Sequence, residues 1–159
     1  MSKEKLTIEF ERVGFDDLTT TEQELVAQAR AAAKNAYAPY SHFQVGAALL
    51  LADGAIHTGN NQENSAYPSG LCAERTVLFA TSANKPDMRV VTLVITAKKE
   101  EAETFQAVTP CGACRQVMTE YMDKQSAPYQ VILEAGNQQF IKVKDVRDLL
   151  PFTFSKDQL

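Results

Sequence analysis

Apolar positions along the chain change period several times, and each change marks an element. Leu6, Ile8 and Phe10 alternate with Thr7, Glu9 and Glu11, the period of two that predicts a short edge strand with one covered face. Thr21, with Glu24 three places on, has capping-box spacing. Leu25, Ala29, Ala32, Ala33 and Ala36 then recur at helical intervals, predicting a helix from Thr21 to Tyr37 that Pro39 stops. Phe43 to Leu51 is apolar at nearly every position, as in a strand buried on both faces. Asp53-Gly54 predicts a two-residue hairpin whose return strand runs from Ala55 to Thr58.

Leu71 to Ala83 reads as a second helix with Val77, Leu78 and Phe79 inward, ended by Asn84 and Pro86. Arg89 to Thr96 is another strand covered on both faces, and Lys98 to Glu103 is a solvated charged loop. A third helix opens near Cys111 and runs through Val117, Met118 and Tyr121. Strands Tyr129 to Glu134 and Gln138 to Val143 flank the Gly136-Asn137 turn, and a short helix from Val146 to Leu150 stops at Pro151. The succession strand, helix, strand, helix, strand from Phe43 to Leu133 implies right-handed crossovers and a largely parallel centre. The expected fold class is α/β, a three-layer α/β/α sandwich with a mixed central sheet of about five strands. Residues 1–18 supply an extra N-terminal strand.

Composition narrows the picture. At 159 residues and 45% hydrophobic, with no repeat or low-complexity tract, the chain has enough apolar surface for one core, so residues 1–159 are expected to form a single domain. A net charge of −4 and a pI near 5.2 provide no basic field for a phosphate backbone or an anionic membrane. Nucleic acid and membrane are therefore not the expected partners, and a small or neutral substrate is. Met1 to Lys5 lack the apolar run of a signal peptide, and no apolar stretch reaches the roughly eighteen residues of a membrane span, so a cytoplasmic chain is expected. Three cysteines, an odd number without a secretion signal, point to metal or thiolate chemistry rather than a disulfide framework.

Those cysteines fall in two segments, Cys72-Ala73-Glu74-Arg75 and Pro110-Cys111-Gly112-Ala113-Cys114, each expected where the chain enters a helix at the edge of the sheet. Cys111 and Cys114 are three apart, so their sulfurs project from one face of a first helical turn and can hold one ion. Structural zinc sites are closed by four protein ligands, whereas catalytic ones keep three and leave a place for water. Three cysteines therefore point to an open site. Three thiolates around Zn²⁺ leave excess negative charge, which two helix N-termini and a hydrogen bond from Arg75 beside Cys72 can offset. Glu74 is not needed as a ligand and becomes the candidate proton carrier.

Together the two segments match the established zinc-deaminase signature of a Cys or His, a nonligand Glu and Pro-Cys-x-x-Cys. With Tyr40-Ser41-His42-Phe43-Gln44-Val45-Gly46-Ala47-Ala48-Leu49, Asn61-Gln62-Glu63-Asn64, Arg115-Gln116 and Leu149-Leu150-Pro151-Phe152-Thr153-Phe154, the chain resembles the homotetrameric three-cysteine cytidine deaminases from about Thr21 to Leu159. The resemblance implies hydrolytic conversion of cytidine and deoxycytidine to uridine and deoxyuridine plus ammonia in pyrimidine salvage, with one Zn²⁺ per subunit. It also implies site roles. Cys72, Cys111 and Cys114 would bind zinc, with Glu74 as the proton shuttle. Asn61 and Glu63 would hold the ribose hydroxyls, Phe43 would contact the pyrimidine ring, and Ala73 would touch the substrate. Tyr67 and Phe154 would reach a neighbouring subunit's pocket. The Leu6–Phe10 segment lies outside the shared region, and the loop between Ile95 and Pro110 is longer than the family pattern.

Blander readings compete. Cys-x-x-Cys alone is more often a structural zinc half-site or a redox pair than a catalytic site. A closed structural site would need His42 or His57 as a fourth ligand, of which His42 is the nearer rival, though both histidines read first as surface or hydrogen-bonded residues. Two other functions stay open. One is a zinc-stabilised binding module without turnover. The other is a deaminase of a different aminopyrimidine, of the blasticidin S type, or of a base in nucleic acid, the last disfavoured by the acidic composition.

Overall fold

In the computed structural model, which describes all 159 residues, the long apolar stretch forms β2 (Phe43–Leu51), and its neighbours build a mixed sheet around it. The other strands are β1 (Glu11–Gly14), β3 (Ile56–Asn60), β4 (Val90–Lys99), β5 (Gln130–Gly136) and β6 (Gln139–Val143). Their order across the sheet is β1-β6-β5-β4-β2-β3. Three helices, α1 (Thr20–Ala33), α2 (Ala73–Asn84) and α3 (Gly112–Gln125), cover it. No helix is long and apolar enough to cross a membrane.

Alternation along the central strands explains why they are apolar throughout. Ala47, Leu49 and Leu51 of β2, Leu93 and Ile95 of β4, and Val131 and Leu133 of β5 pack with Val77 and Leu78 of α2 and Met118 and Met122 of α3. Their in-between neighbours Ala48, Val94 and Ile132 face the other way, towards Leu25, Val26 and Ala29 of α1 and Phe140 of β6. Each strand thus buries both sets of side chains, giving the three-layer α/β/α sandwich expected from the sequence.

The parallel centre is smaller than expected. Only β4 and β5 run parallel, while β2 is antiparallel to both β3 and β4. The hairpin reverses the chain before α2 crosses over, so β4 arrives antiparallel to β2. The sheet has six strands, and the N-terminal one is displaced from the alternating segment: residues 6–10 have no regular structure, and Glu11–Gly14 pairs with β6 instead. The first helix is capped two residues earlier than the Thr21/Glu24 reading. Thr19 Oγ1 accepts from Glu22 N–H at 3.3 Å, and the Thr19 N–H donates to Glu22 Oε2 at 2.9 Å. The helix ends at Ala33, short of Tyr37, because Tyr37's N–H donates to Asn61 O and its carbonyl accepts from Glu63 N–H. β4 continues through Lys99, since Phe43 and Gln44 pair with Lys99 and Lys98. The last short helix is a 3-10 turn, Val146–Leu149.

Two glycines set the helix-to-sheet distance. A Cβ at Gly46 would lie 2.0 Å from Ala29 O and 2.6 Å from Ala33 N, and one at Gly59 would lie 2.8 Å from Val77 N. All three obstacles are backbone atoms of α1 or α2, so no side chain can yield. Gly46→Ala is therefore expected to destabilise the fold by about 3 kcal/mol, read as a lowered urea midpoint with unchanged slope. A loss below about 0.5 kcal/mol would show that α1 does not rest on β2 this closely.

Glu22 also anchors α1. Burial alone would raise its pKa, but Lys142 at 2.7 Å, the Thr19 N–H and the Gln130 amide at 2.8 Å together hold it below its ordinary value. With the folded pKa below the unfolded 4.5, the unfolded chain takes up protons first as pH falls, so this contribution is complete above about pH 4.5 and lost below it. Glu22→Gln is expected to cost about 1–2 kcal/mol at pH 7 and progressively less below pH 4.5. Urea melts of both proteins at the two pH values check it, and a gap that widens in acid contradicts it.

Candidate active site

Cys72 and Cys111 are themselves the N-caps of α2 and α3. Both have the extended backbone typical of a cap, yet neither sulfur takes the capping hydrogen bond that a Ser or Asp would take. The sulfurs stay available. Cys114, one turn into α3, is fully buried, with its Sγ 3.4 Å from that of Cys111. All three sulfurs lie within 4.8 Å of one another.

The loops that deliver the other residues are stitched by backbone bonds. Gln62 and Leu71 exchange N–H and C=O at 2.8 and 2.9 Å, which folds residues 61–71 into a tight excursion returning to Cys72. On the other side, Gln106 N–H donates to Ala97 O and Val108 N–H to Glu134 O, guiding the chain to Pro110. Arg115 ties the start of α3 to Pro110 O at 2.8 Å and to Leu149 O at 3.0 Å, drawing the C-terminal segment to the same end of the sandwich.

A cleft of about 740 Å³ opens over the cysteines and is lined by Phe43, Asn61, Glu63, Tyr67, Glu74 and Arg75 among others. Glu74 is 4% exposed, and its Oε2 has no protein partner. Burial is the main cause that pushes this carboxyl up to about 7. Arg75 Nη2 lies 3.9 Å from Cys72 Sγ and 3.4 Å from Gly70 O, while its buried Nε is unpaired. The Cys72 thiol is lowered to about 5, first by its hydrogen bond with Cys114 and then, against burial, by Arg75. Cys114 is raised well above the ordinary thiol range as the other member of that bond and by burial. Negative charge thus collects at the cluster, and three soft donors converging on one point suit Zn²⁺.

Asn61 is nearly buried and structurally committed. Its Oδ1 accepts from Val45 N–H at 2.8 Å and its Nδ2 donates to Phe43 O at 2.9 Å, so it fixes the backbone at the start of β2, from which Phe43 projects. Each of its polar atoms retains one further bonding position. Glu63 Oε2 accepts from Tyr40 N–H at 2.9 Å and Ser41 N–H at 3.2 Å, which with the Ser41 hydroxyl holds its pKa below the ordinary value. Tyr67 packs edge-on to Tyr40, centroids 6.2 Å apart, at the cleft mouth.

Not every residue singled out in the sequence reaches the cleft. Phe154 is exposed and does not line it; its carbonyl accepts from Gln116 Nε2 at 2.7 Å. Ala73 is buried beneath the cleft rather than on its wall. The histidines are engaged elsewhere, His42 with Glu100 at 2.8 Å and His57 with Thr81 at 3.0 Å, and neither belongs to the sulfur cluster. Leu71, Val108 and Thr109 line the cleft without having been singled out. The available signal was position, since each lies within three residues of a cysteine N-cap.

Three cysteine sulfurs at two helix starts, an adjacent buried carboxyl and a roofing cleft define a metal-centred α/β/α enzyme. The family described as "Cytidine and deoxycytidylate deaminase zinc-binding region" matches residues 19–128. The cytidine deaminases of Sporosarcina psychrophila and Halalkalibacterium halodurans are each 41% identical to the chain over 138 residues, 86% of this chain and 93% and 96% of theirs. The crystal structure of cytidine deaminase from Burkholderia pseudomallei superposes with a TM-score of 0.70 at 37% identity, covering 86% of this chain and all of that one. The chain belongs to the cytidine and deoxycytidylate deaminase zinc-binding family, and its metal is zinc.

Proposed function

We propose that this chain deaminates cytidine and deoxycytidine hydrolytically, releasing uridine or deoxyuridine and ammonia. The observation that carries the reading is the buried, unpartnered Oε2 of Glu74 beside three sulfurs within 4.8 Å of one another. Cys72, Cys111 and Cys114 hold the zinc, which when bound supplies the Lewis acidity that activates water at neutral pH. Glu74 would take one proton from the attacking water and deliver it to the ring nitrogen, then take the remaining proton of the added hydroxyl and pass it to the amine as the C–N bond breaks and ammonia leaves. A carboxyl raised towards 7 can do both near neutrality, being neither fixed as the anion nor fixed as the acid.

The other residues bind and orient. Phe43, whose backbone carbonyl the Asn61 amide holds, lines the cleft where the pyrimidine would sit, and the cleft volume suits one nucleoside. Asn61 keeps bonding capacity for a sugar hydroxyl, and Glu63 Oε1 is free of protein donors while Oε2 secures the Tyr40–Ser41 loop. Ala73, buried beneath the cleft at the start of α2, supports its floor. Arg75 neutralises part of the thiolate charge at Cys72.

The chain works as a single-domain subunit of a homotetramer in the cytoplasm. Exposed Phe154 and Tyr67, 58% and 76% accessible, support its reaching across to a neighbouring pocket. The acidic composition and the lack of a basic cradle support a free nucleoside over a nucleotide or nucleic acid. Zinc-loaded protein is expected to convert cytidine and deoxycytidine with one ammonia released per uracil product, followed by ultraviolet absorbance. No turnover of either nucleoside would overturn the reading.

A further inference from the structure

Residues 1–10 carry a pattern that the deaminase chemistry does not use. Leu6, Ile8 and Phe10 are 60%, 43% and 58% exposed, and as alternate residues they share one face of an extended segment. The segment runs directly into β1, which bonds β6 through one edge and has no partner on the other. The family match begins only at residue 19.

Antiparallel pairing of residues 4–12 with themselves about Ile8 sets Glu4 against Arg12, Lys5 against Glu11, Leu6 against Phe10 and Ile8 against its own counterpart. Other registers lose this match. Centring on Glu9 brings two Glu9 carboxylates together and puts Leu6 against Arg12, and centring on Thr7 puts Glu4 against Phe10. Odd shifts set apolar residues against polar ones. Glu4, Lys5 and Arg12 take part in no ion pair of their own chain, whereas Glu11 already meets Lys144 at 2.9 Å, so the Glu4–Arg12 pair carries the charge match. We infer that residues 4–12 are a self-complementary docking strand, which forms a two-fold antiparallel ribbon with a second copy of this chain along the open edge of β1. A two-stranded ribbon is marginal by itself, so it acts where other contacts already bring copies together. The alternative is a tail lying only against its own chain, where Leu6 already borders a cleft beside Met122 and Leu150.

Disulfide trapping separates the two. Metal-loaded full chain carrying Ile8→Cys is oxidised mildly beside Leu6→Cys, with the wild-type chain as the blank for its own thiols. Ile8→Cys is expected to give a linked dimer, because the residue meets its counterpart, and Leu6→Cys at least about fivefold less. A one-to-one mixture of Leu6→Cys and Phe10→Cys chains recovers the dimer. Adding Glu4→Arg to Ile8→Cys lowers the yield about fivefold, and adding Arg12→Glu as well restores it. No dimer from Ile8→Cys, equal yields from positions 6 and 8, or indifference to the charge swap would overturn the inference. The ribbon lies outside the cleft, so all variants keep wild-type turnover, and an inactive wild-type chain would count against the deaminase reading alone.

Discussion

Glu74→Gln is expected to lower kcat/KM for cytidine by about 10²- to 10⁴-fold, with one zinc per chain and the fold retained. At about 1.4 kcal/mol per factor of ten, that is about 3–5 kcal/mol of transition-state stabilisation. The amide has the shape of the carboxyl and fits the same buried space, but it can neither accept nor release the proton. The loss is expected mainly in kcat, since proton transfer belongs to the transition state. A Glu74→Gln enzyme within about tenfold of wild type would assign the proton to another group.

Cys114→Ala is expected to abolish stable zinc binding, leaving less than about a tenth of an ion per chain after dialysis, and to abolish turnover with it. The residue is fully buried and the exchange is small, so the direct packing loss is only about 1 kcal/mol. The larger consequence is loss of the shared metal tie between the starts of α2 and α3. The wild type should melt higher with zinc than after chelation, whereas Cys114→Ala should melt the same in both conditions. A full zinc complement in Cys114→Ala would mean that another ligand closes the site. The engagement of His42 with Glu100 and of His57 with Thr81 argues against that.

The layers were legible because burial on both faces leaves its own mark: β2, β4 and β5 are apolar at odd and even positions alike. Strand direction was not, since a hairpin followed by a crossover and a simple crossover have the same local pattern. The ends of α1 were misplaced for a different reason. Thr19-x-x-Glu22 and Thr21-x-x-Glu24 have the same spacing, and only the burial of Glu22 against Lys142 and Gln130 distinguishes them. Tyr37 likewise leaves the helix for a bridge to residues 61–63, a long-range bond that propensity does not encode.

The site divided along the same line. Cys72, Cys111, Cys114 and Glu74 could be placed together from helix starts and ligand chemistry, because the donors themselves carry the signal. The dual use of Asn61 and Glu63 could not. Asn61 fixes the β2 backbone and Glu63 the Tyr40–Ser41 loop, so each supports the cleft wall as well as facing it. Phe154 could be recognised as an aromatic beyond a helix stop, but its distance from the cleft of its own chain is a tertiary fact.

An open zinc centre with three sulfur ligands is the feature on which the proposed chemistry depends, and X-ray absorption at the zinc edge of the purified protein reads it directly. Three sulfurs at about 2.3 Å with one nitrogen or oxygen neighbour is the predicted shell. Four sulfur or histidine ligands from the protein, closing the metal, would contradict it.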